Sequence, residues 1–326
     1  MKRGIALLLA AALALLLCGC EKESAATLQI GETAFSEGVY AYVLHQVLRN
    51  ADENATREEL QQKAAEECAV YAALEARLQT EGIKLSAPHK SEAAARTRGL
   101  WQFFSAHYRA LGVEKPDLTR LMTWEAAKKA LTEHIYGEGG KHEVSESKLK
   151  TLFTETYAGY LGFSEELTKA NARGETAPLS ETEQAALRKA LGELQQRAQK
   201  GESLNSLYRE YSKSKGLPVT TDLEVTVIRQ GDPTVRGDFF EKVHGLKTNE
   251  TAVLEDGTRL VLLQKIDLLE EDAPYFAAAR DDVLLAEKLP AVEKELREQA
   301  DASGAVFDEA VCSRIFARIR NARQEA

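Results

Sequence analysis

Proline and glycine are scarce in this sequence, at 7 and 21 of 326 residues. That excludes a collagen-like or Pro/Gly-rich disordered chain, and a composition dominated by Ala, Glu, Leu, Lys and Arg leans towards helix. Cysteine is scarce too. There are 4, and two of them, Cys18 and Cys20, fall in the first twenty residues, so no disulfide-dense scaffold is encoded. Basic residues are outnumbered, with 42 Lys and Arg against 51 Asp and Glu, for a net charge of -9. A general nucleic-acid binder needs a basic face to neutralise phosphates, so nucleic acid is not an expected partner. The 6 histidines show no close metal-ligand spacing, so no metal is expected, and no cofactor motif is present. The length suits roughly two domains of about 150 residues each.

What is present begins at the N-terminus. Lys2 and Arg3 form a positive n-region, and Ile5 to Leu17 is an apolar run of thirteen residues. A membrane-spanning helix needs about 20, so the run suits the h-region of a secretory signal instead. It ends in Leu17-Cys18-Gly19-Cys20, which resembles a bacterial lipobox. Small side chains let a peptidase close on the backbone before Cys20, whose thiol is the nucleophile that accepts the lipid. Residues 1–19 are then a signal peptide, and 20–27 a lipidated cysteine and polar tether. The expected location is the cell membrane of a bacterium, lipid-anchored on the extracytoplasmic face. Cleavage removes two basic residues and no acidic one, so the mature chain is more acidic than the whole.

Along the mature chain, residues 27–35 read as strand, turn at Gly31-Glu32, and return. Ser36 looks like an N-cap, followed by a helix with Tyr40, Val43, Leu44, Val47 and Leu48 on one face. Thr56 caps a longer helix with the stripe Leu60, Ala64, Cys68, Tyr71, Leu74 and Leu78. Ser86 opens another, where Leu100, Phe104, Tyr108 and Leu111 follow helical steps. These, with Trp101, form either a core stripe or the lining of a cradle. Leu118 to His134 is helical, and Ser145 caps Leu149 to Phe153. From Tyr157 the texture changes. The order becomes strand (157–163), helix behind the capping box Ser180–Glu183, helix, strand (223–228), short helix (239–246), then two strands flanking Glu255-Asp256-Gly257. The chain returns to helix after Pro274, and Pro290 is expected to kink or break it.

This order, and short motifs within it, resemble the SurA/PrsA group of extracytoplasmic foldases. The motifs are Ile30-Gly31-Glu32-Thr33-Ala34-Phe35-Ser36 with Tyr40, Gly82-Ile83 with Ser86, Gly201 and Leu204 with Tyr211-Ser212, and Phe240, Leu246 and Asn249-Glu250. The resemblance implies an α+β fold. A mainly helical chaperone lobe, built from residues 28–153 and a C-terminal helix region at 271–326, would carry an inserted parvulin-like α/β domain at 154–270. It also implies unfolded or newly secreted polypeptides as partners, and a peptidylprolyl cis-trans isomerase domain, which rotates X-Pro bonds across a barrier of about 18–20 kcal/mol with no covalent step.

The sequence departs from the pattern where chemistry is expected. Active parvulins carry one histidine in the first strand and one in the last hairpin. Those places fall near Tyr160 and Arg259 here, and none of the six histidines fits either. Isomerase activity is therefore expected to be weak or absent. Phe239 and Phe240 are either the remnant of a proline pocket or a core ring beside a half-exposed one. An active isomerase with other residues, and a non-catalytic envelope scaffold, are the alternatives. In the resembled architecture both chain ends share one lobe, so Cys68 and Cys312 either form a disulfide or remain two separate buried thiols. A free-thiol count on the unfolded, non-reduced protein separates these: two reactive thiols mean no bridge, and none means a bridge.

Overall fold

The computed structural model describes residues 27–52, 54–170, 173–218 and 221–324. Cys20 and the leader before it lie outside the described residues. The chain forms two compact units. One holds the residues up to Glu143 and those from Leu285 onwards, and the other is Val144–Leu284.

The first unit starts with a tight hairpin, β1 (Leu28–Ile30) and β2 (Thr33–Phe35), paired Leu28↔Phe35 and Ile30↔Thr33. Gly31 sits at the turn with φ +55, a conformation that costs glycine nothing. A third strand, β9 (Val306–Phe307), comes from the far end of the chain and pairs antiparallel with β1 through Leu28↔Phe307 and Gln29↔Val306. Four helices follow the hairpin: α1 (Glu37–Arg49), α2 (Arg57–Thr80), α3 (Ala87–Leu111) and α4 (Lys115–Tyr136). Their starts are those the capping residues predict. Ser36 Oγ accepts from Val39 N, Thr56 and Glu59 form a full capping box, and Ser86 caps α3. The core joins β1 and these helices to the later part of α9 (Tyr275–Gln299) and to α10 (Glu309–Gln324), with Leu28, Tyr40, Leu44, Leu74, Leu296, Cys312 and Ile315 fully buried.

One polar group ties the hairpin to two helices. The Glu75 carboxylate on α2 accepts from the Thr33 hydroxyl at 2.9 Å, the Trp124 indole at 2.8 Å and Arg120 at 3.4 Å. Arg120 also donates to the Ala34 carbonyl at 2.7 Å and lies 4.6 Å from the Trp124 ring centroid. Charge-assisted bonds of this kind are about twice as strong as neutral ones.

The second unit is an antiparallel sheet with helices on both faces. Its elements are α5 (Glu146–Thr156), β3 (Tyr157–Glu166), the small hairpin β4 (Thr168–Ala170) and β5 (Thr176–Pro178), α6 (Glu181–Gln199), α7 (Leu204–Ser214), β6 (Val225–Arg229), α8 (Phe239–Gly245), β7 (Thr251–Asp256) and β8 (Arg259–Ile266). The strand order is β6-β3-β8-β7. Side chains alternate across the sheet. Leu161, Phe163, Leu260 and Leu262 pack with Leu187, Leu191 and Leu207 of α6 and α7. Ala158, Tyr160, Val261 and Leu263 pack with Phe239, Phe240 and Val243 of α8. That explains why β8 reads as an unbroken apolar run: both of its faces are covered. The α+β class expected from the sequence is the class observed.

The structure narrows two expectations. Helix α9 is not broken at Pro290, which lies inside it. Phe104 does not join a core stripe on α3, for it is 52% exposed while Tyr108 and Leu111 are buried. The strand β9, the helix α10 and the β4–β5 hairpin were not expected. Helix α10 did carry a signal: Asp308 accepts from Val311 N as a cap, and Cys312, Ile315 and Ile319 are spaced for one buried face.

Leu28 packs in the middle of the closing sheet, so Leu28→Ala is expected to cost about 2–5 kcal/mol in urea denaturation. Val306→Ala, at a position 67% exposed in the same sheet, is the control and is expected to shift stability by under about 0.5 kcal/mol.

Candidate functional site

The sheet of the second unit brings three of the four residues singled out by sequence to one cavity. Tyr160 stands on β3 opposite Thr226 of β6, Arg259 opens β8, and Phe239 opens α8. All three line a cavity of about 290 Å³ whose apolar wall includes Ile228, Val235 and Val261. The Tyr160 and Phe239 rings meet edge to face at 5.8 Å. Phe240 does not line this cavity. It is buried in the same cluster, stacked with His244 at 5.4 Å, and the His244 Nε2 donates to the Thr154 carbonyl at 2.8 Å. Neither phenylalanine is half-exposed, so the reading of one core ring beside a half-exposed one does not hold.

Asp256 is the residue that sequence reasoning missed. It ends β7, pairs with Arg259 across the Gly257-Thr258 turn, and its side chain is 6% exposed. One carboxylate oxygen accepts from the Arg259 guanidinium, and the other accepts from Arg236 N at 3.0 Å. The turn requires Gly257 at φ +60, with the Arg236 side chain packed against it. The Arg259 charge is thus fixed at the cavity rim by a buried counter-charge. Sequence offered a hint, since an acid and a base flanking a two-residue turn face each other in a hairpin.

Burial pushes the Tyr160 phenol above its ordinary value, with Asp256 adding to the rise and the Thr226 side chain opposing it. The phenol is neutral at physiological pH and can only donate or accept a hydrogen bond. No imidazole and no thiol lines the cavity. The imidazole that general acid–base catalysis uses most often is absent from the lining. What the arrangement can do is hold a small apolar group against Phe239, Ile228 and Val261, and offer donors from Tyr160 and Arg259 to a carbonyl beside it.

The first unit holds a separate groove of about 490 Å³. Tyr42, Val43, Val47 and Tyr71 form its apolar floor, and Lys63 and Glu66 stand on its rim with the Glu67–Arg297 pair. Arg297 grips both Glu67 oxygens, at 2.6 and 3.0 Å. Beneath the groove, the Tyr71 hydroxyl donates to Glu125 and its ring stacks on Trp124 at 4.5 Å.

Cys68 and Cys312 are both buried free thiols, so the pair does not form a bridge in this structure. Burial pushes each thiol up from its ordinary value, and both lie close enough to the Tyr40 phenol to reinforce its own rise. Among the described residues no group of three or more His, Cys, Asp or Glu is placed to hold a metal ion. No helix of the described residues is long and apolar enough to cross a membrane.

The fold and the site define an α+β protein whose second unit puts a small, imidazole-free cavity on an antiparallel sheet. Among solved structures the chain is similar to PrsA foldase proteins. It shares 10% identity and a TM-score of 0.37 with that of Lactococcus lactis, covering 91% of this chain and 99% of the other. It shares 12% identity and a TM-score of 0.36 with that of Streptococcus pneumoniae, covering 82% and 98%. For PrsA from Bacillus subtilis the values are 15% and 0.24, covering 94% of each chain. No protein-family model matches the chain, and no curated protein does. Likenesses this distant leave the functional assignment to the chain's own residues.

Removing Asp256 tests how the cavity rim is built. Asp256→Ala is expected to cost the second unit about 1–3 kcal/mol in a urea melt followed by far-UV circular dichroism, because two donors lose their acceptor. Asp256→Asn, which keeps an acceptor for Arg236 N, is expected to lose less.

Proposed function

We propose that the protein is a membrane-anchored extracytoplasmic foldase of the chaperone type, whose parvulin-like domain holds proline-bearing segments with little or no isomerase turnover. The observation that carries the reading is the cavity where Tyr160, Phe239 and Arg259 meet. Its apolar wall suits a proline ring. The Tyr160 hydroxyl and the Arg259 guanidinium, held by Asp256, stand where a peptide carbonyl would lie. Rotation about an X-Pro bond is accelerated by groups that favour the twisted amide over the planar one. Here the phenol is neutral and the guanidinium is already committed to a carboxylate, so the pocket binds both states alike and turnover is low.

Holding of clients falls to the two apolar surfaces together with their polar rims. The groove with Tyr42, Val47 and Tyr71 is wide enough for several side chains of an extended peptide, and its mixed rim of Lys63, Glu66, Glu67 and Arg297 tolerates either sign of charge. The lipobox at Leu17 to Cys20 supports the anchor, and two or three acyl chains give stable attachment where one is marginal. The alternatives are an active isomerase that uses Tyr160 and Arg259 as donors, and a scaffold with no client.

The test is a pair of assays on the purified protein. It is expected to suppress aggregation of a denatured client at near-stoichiometric amounts, while leaving the slow phase of a proline-limited refolding reaction within about two-fold of the uncatalysed rate, which runs over tens to hundreds of seconds. Strong acceleration that Tyr160→Ala and Arg259→Ala abolish would favour the active isomerase. Acceleration that survives both substitutions overturns the site assignment, and absence of both activities favours the scaffold.

A further inference from the structure

Helix α3 turns two aromatic rings to solvent within one turn. Phe103 is 76% exposed and Phe104 52%. Phe104 lies seven residues beyond Thr97 and four before Tyr108, both buried, so it continues the packed face of the helix where nothing covers it. Half-buried Leu100 adjoins it. Arg96 lies two turns before Phe103 and His107 one turn after it, on the same face and exposed. Arg49, exposed at the end of α1, lies two turns beyond Tyr42, whose ring meets that of Tyr108 on α3 at 6.4 Å. Among the described residues neither arginine is within ion-pair distance of a carboxylate. Between Ala93 and Val113 the chain carries three arginines and no acidic residue, in a protein of net charge -9.

We propose that this face of the first unit rests on an anionic phospholipid surface, with Phe103 and Phe104 in the headgroup boundary and Arg49 and Arg96 on lipid phosphates. Exposed aromatic rings bordered by cations are what an interfacial helix presents to such a surface. The negative charge on the rest of the chain is repelled from the same surface, which turns this face towards it. The inference rests on the anchor proposed above. Thr27, where the same unit begins, is seven residue steps from Cys20, and at ~3.3 Å per residue these reach about 23 Å at most. A contact too weak to recruit a free protein is then strong enough to orient a tethered one, because the second binding event is intramolecular. A client polypeptide is the less suited occupant: the rings stand on an open helix face, and the 490 Å³ groove of this unit is lined by neither.

Trp101, half-buried beside the rings, is the reporter, and the other tryptophan, Trp124, is 3% exposed. The full-length protein is reconstituted in vesicles of phosphatidylcholine, with or without about a third phosphatidylglycerol, using lipids brominated on the acyl chains. Fluorescence is expected to fall markedly in the anionic vesicles and little in the neutral ones. Phe103→Ser with Phe104→Ser is expected to remove the difference. Arg49→Glu with Arg96→Glu is expected to reduce partition by about five-fold or more per residue. Equal quenching in both vesicles, quenching that the double serine variant retains, or quenching displaced by an unfolded acidic polypeptide overturns the proposal, the last in favour of a client. Flotation reads the anchor separately. A chain that floats with neutral vesicles but shows no anionic-specific quenching keeps the anchor and loses this face. A chain that floats only with anionic vesicles loses the anchor and keeps the face.

Discussion

The first unit depends on the pairing of the two ends of the chain. Leu28 sits between Phe35 on one side and Phe307 on the other, and the ladder continues as Asp308 N donates to the Thr27 carbonyl at 3.0 Å. The Tyr40 ring meets Phe307 edge to face at 6.3 Å, and the Cys312 thiol lies 3.9 Å from the same Thr27 carbonyl. Strand β1 has only three residues, and such a strand is not stable by itself. It is held by what packs over it: α1 and α2 from one end of the sequence, α9 and α10 from the other. Helices α3 and α4 stay in this unit, and the chain leaves it only at residues 144–284, which form a body of their own.

The same economy governs the cavity. Nothing in it is held by a long-range polar network. Tyr160 is placed by strand register, Phe239 by the start of a seven-residue helix, and Arg259 by a carboxylate three residues earlier in the chain. Buried charge is tolerable only when paired and hydrogen-bonded, and Asp256 meets both conditions with Arg259 and the Arg236 amide. The result is a site whose rim cation is fixed by a buried counter-charge. It offers an apolar wall beside two hydrogen-bond donors, the Tyr160 hydroxyl and the Arg259 guanidinium.

Much of the fold was legible because it is written in local signals. Ser36, Thr56, Ser86, Ser145 and Ser180 each cap the helix they precede, and the alternation from Tyr157 to Phe163 is a strand. What was not legible is long-range. Val306 and Phe307 form a two-residue strand only because β1 is there to pair with, and no periodicity marks two residues. Pro290 does not end its helix because packing outweighs propensity: Val292 and Leu296 are fully buried just after it and hold the helix together across the missing hydrogen bond. For Phe104 sequence left a core stripe and a cradle open; its spacing is that of a core residue, but it is half exposed because no element among the described residues covers it. In the candidate site the strand positions of Tyr160 and Arg259 followed from order alone, whereas Asp256 acquired its role only when the hairpin closed.

The pairing of Leu28 with Phe307 also sets a timetable. A chain leaving the ribosome or a translocation channel from its N-terminus exposes the hairpin and the first four helices long before β9 and α10 exist. The first unit, including its fully buried Leu28 and Cys68, stays incomplete until β9 and α10 have emerged. The second unit is contiguous and has every strand it needs once Ile266 is out. Closing contacts nearly a chain length apart is slow because the loop entropy is met before any contact repays it. The inserted domain is therefore positioned to fold first, within a still-open framework that only the C-terminus can shut.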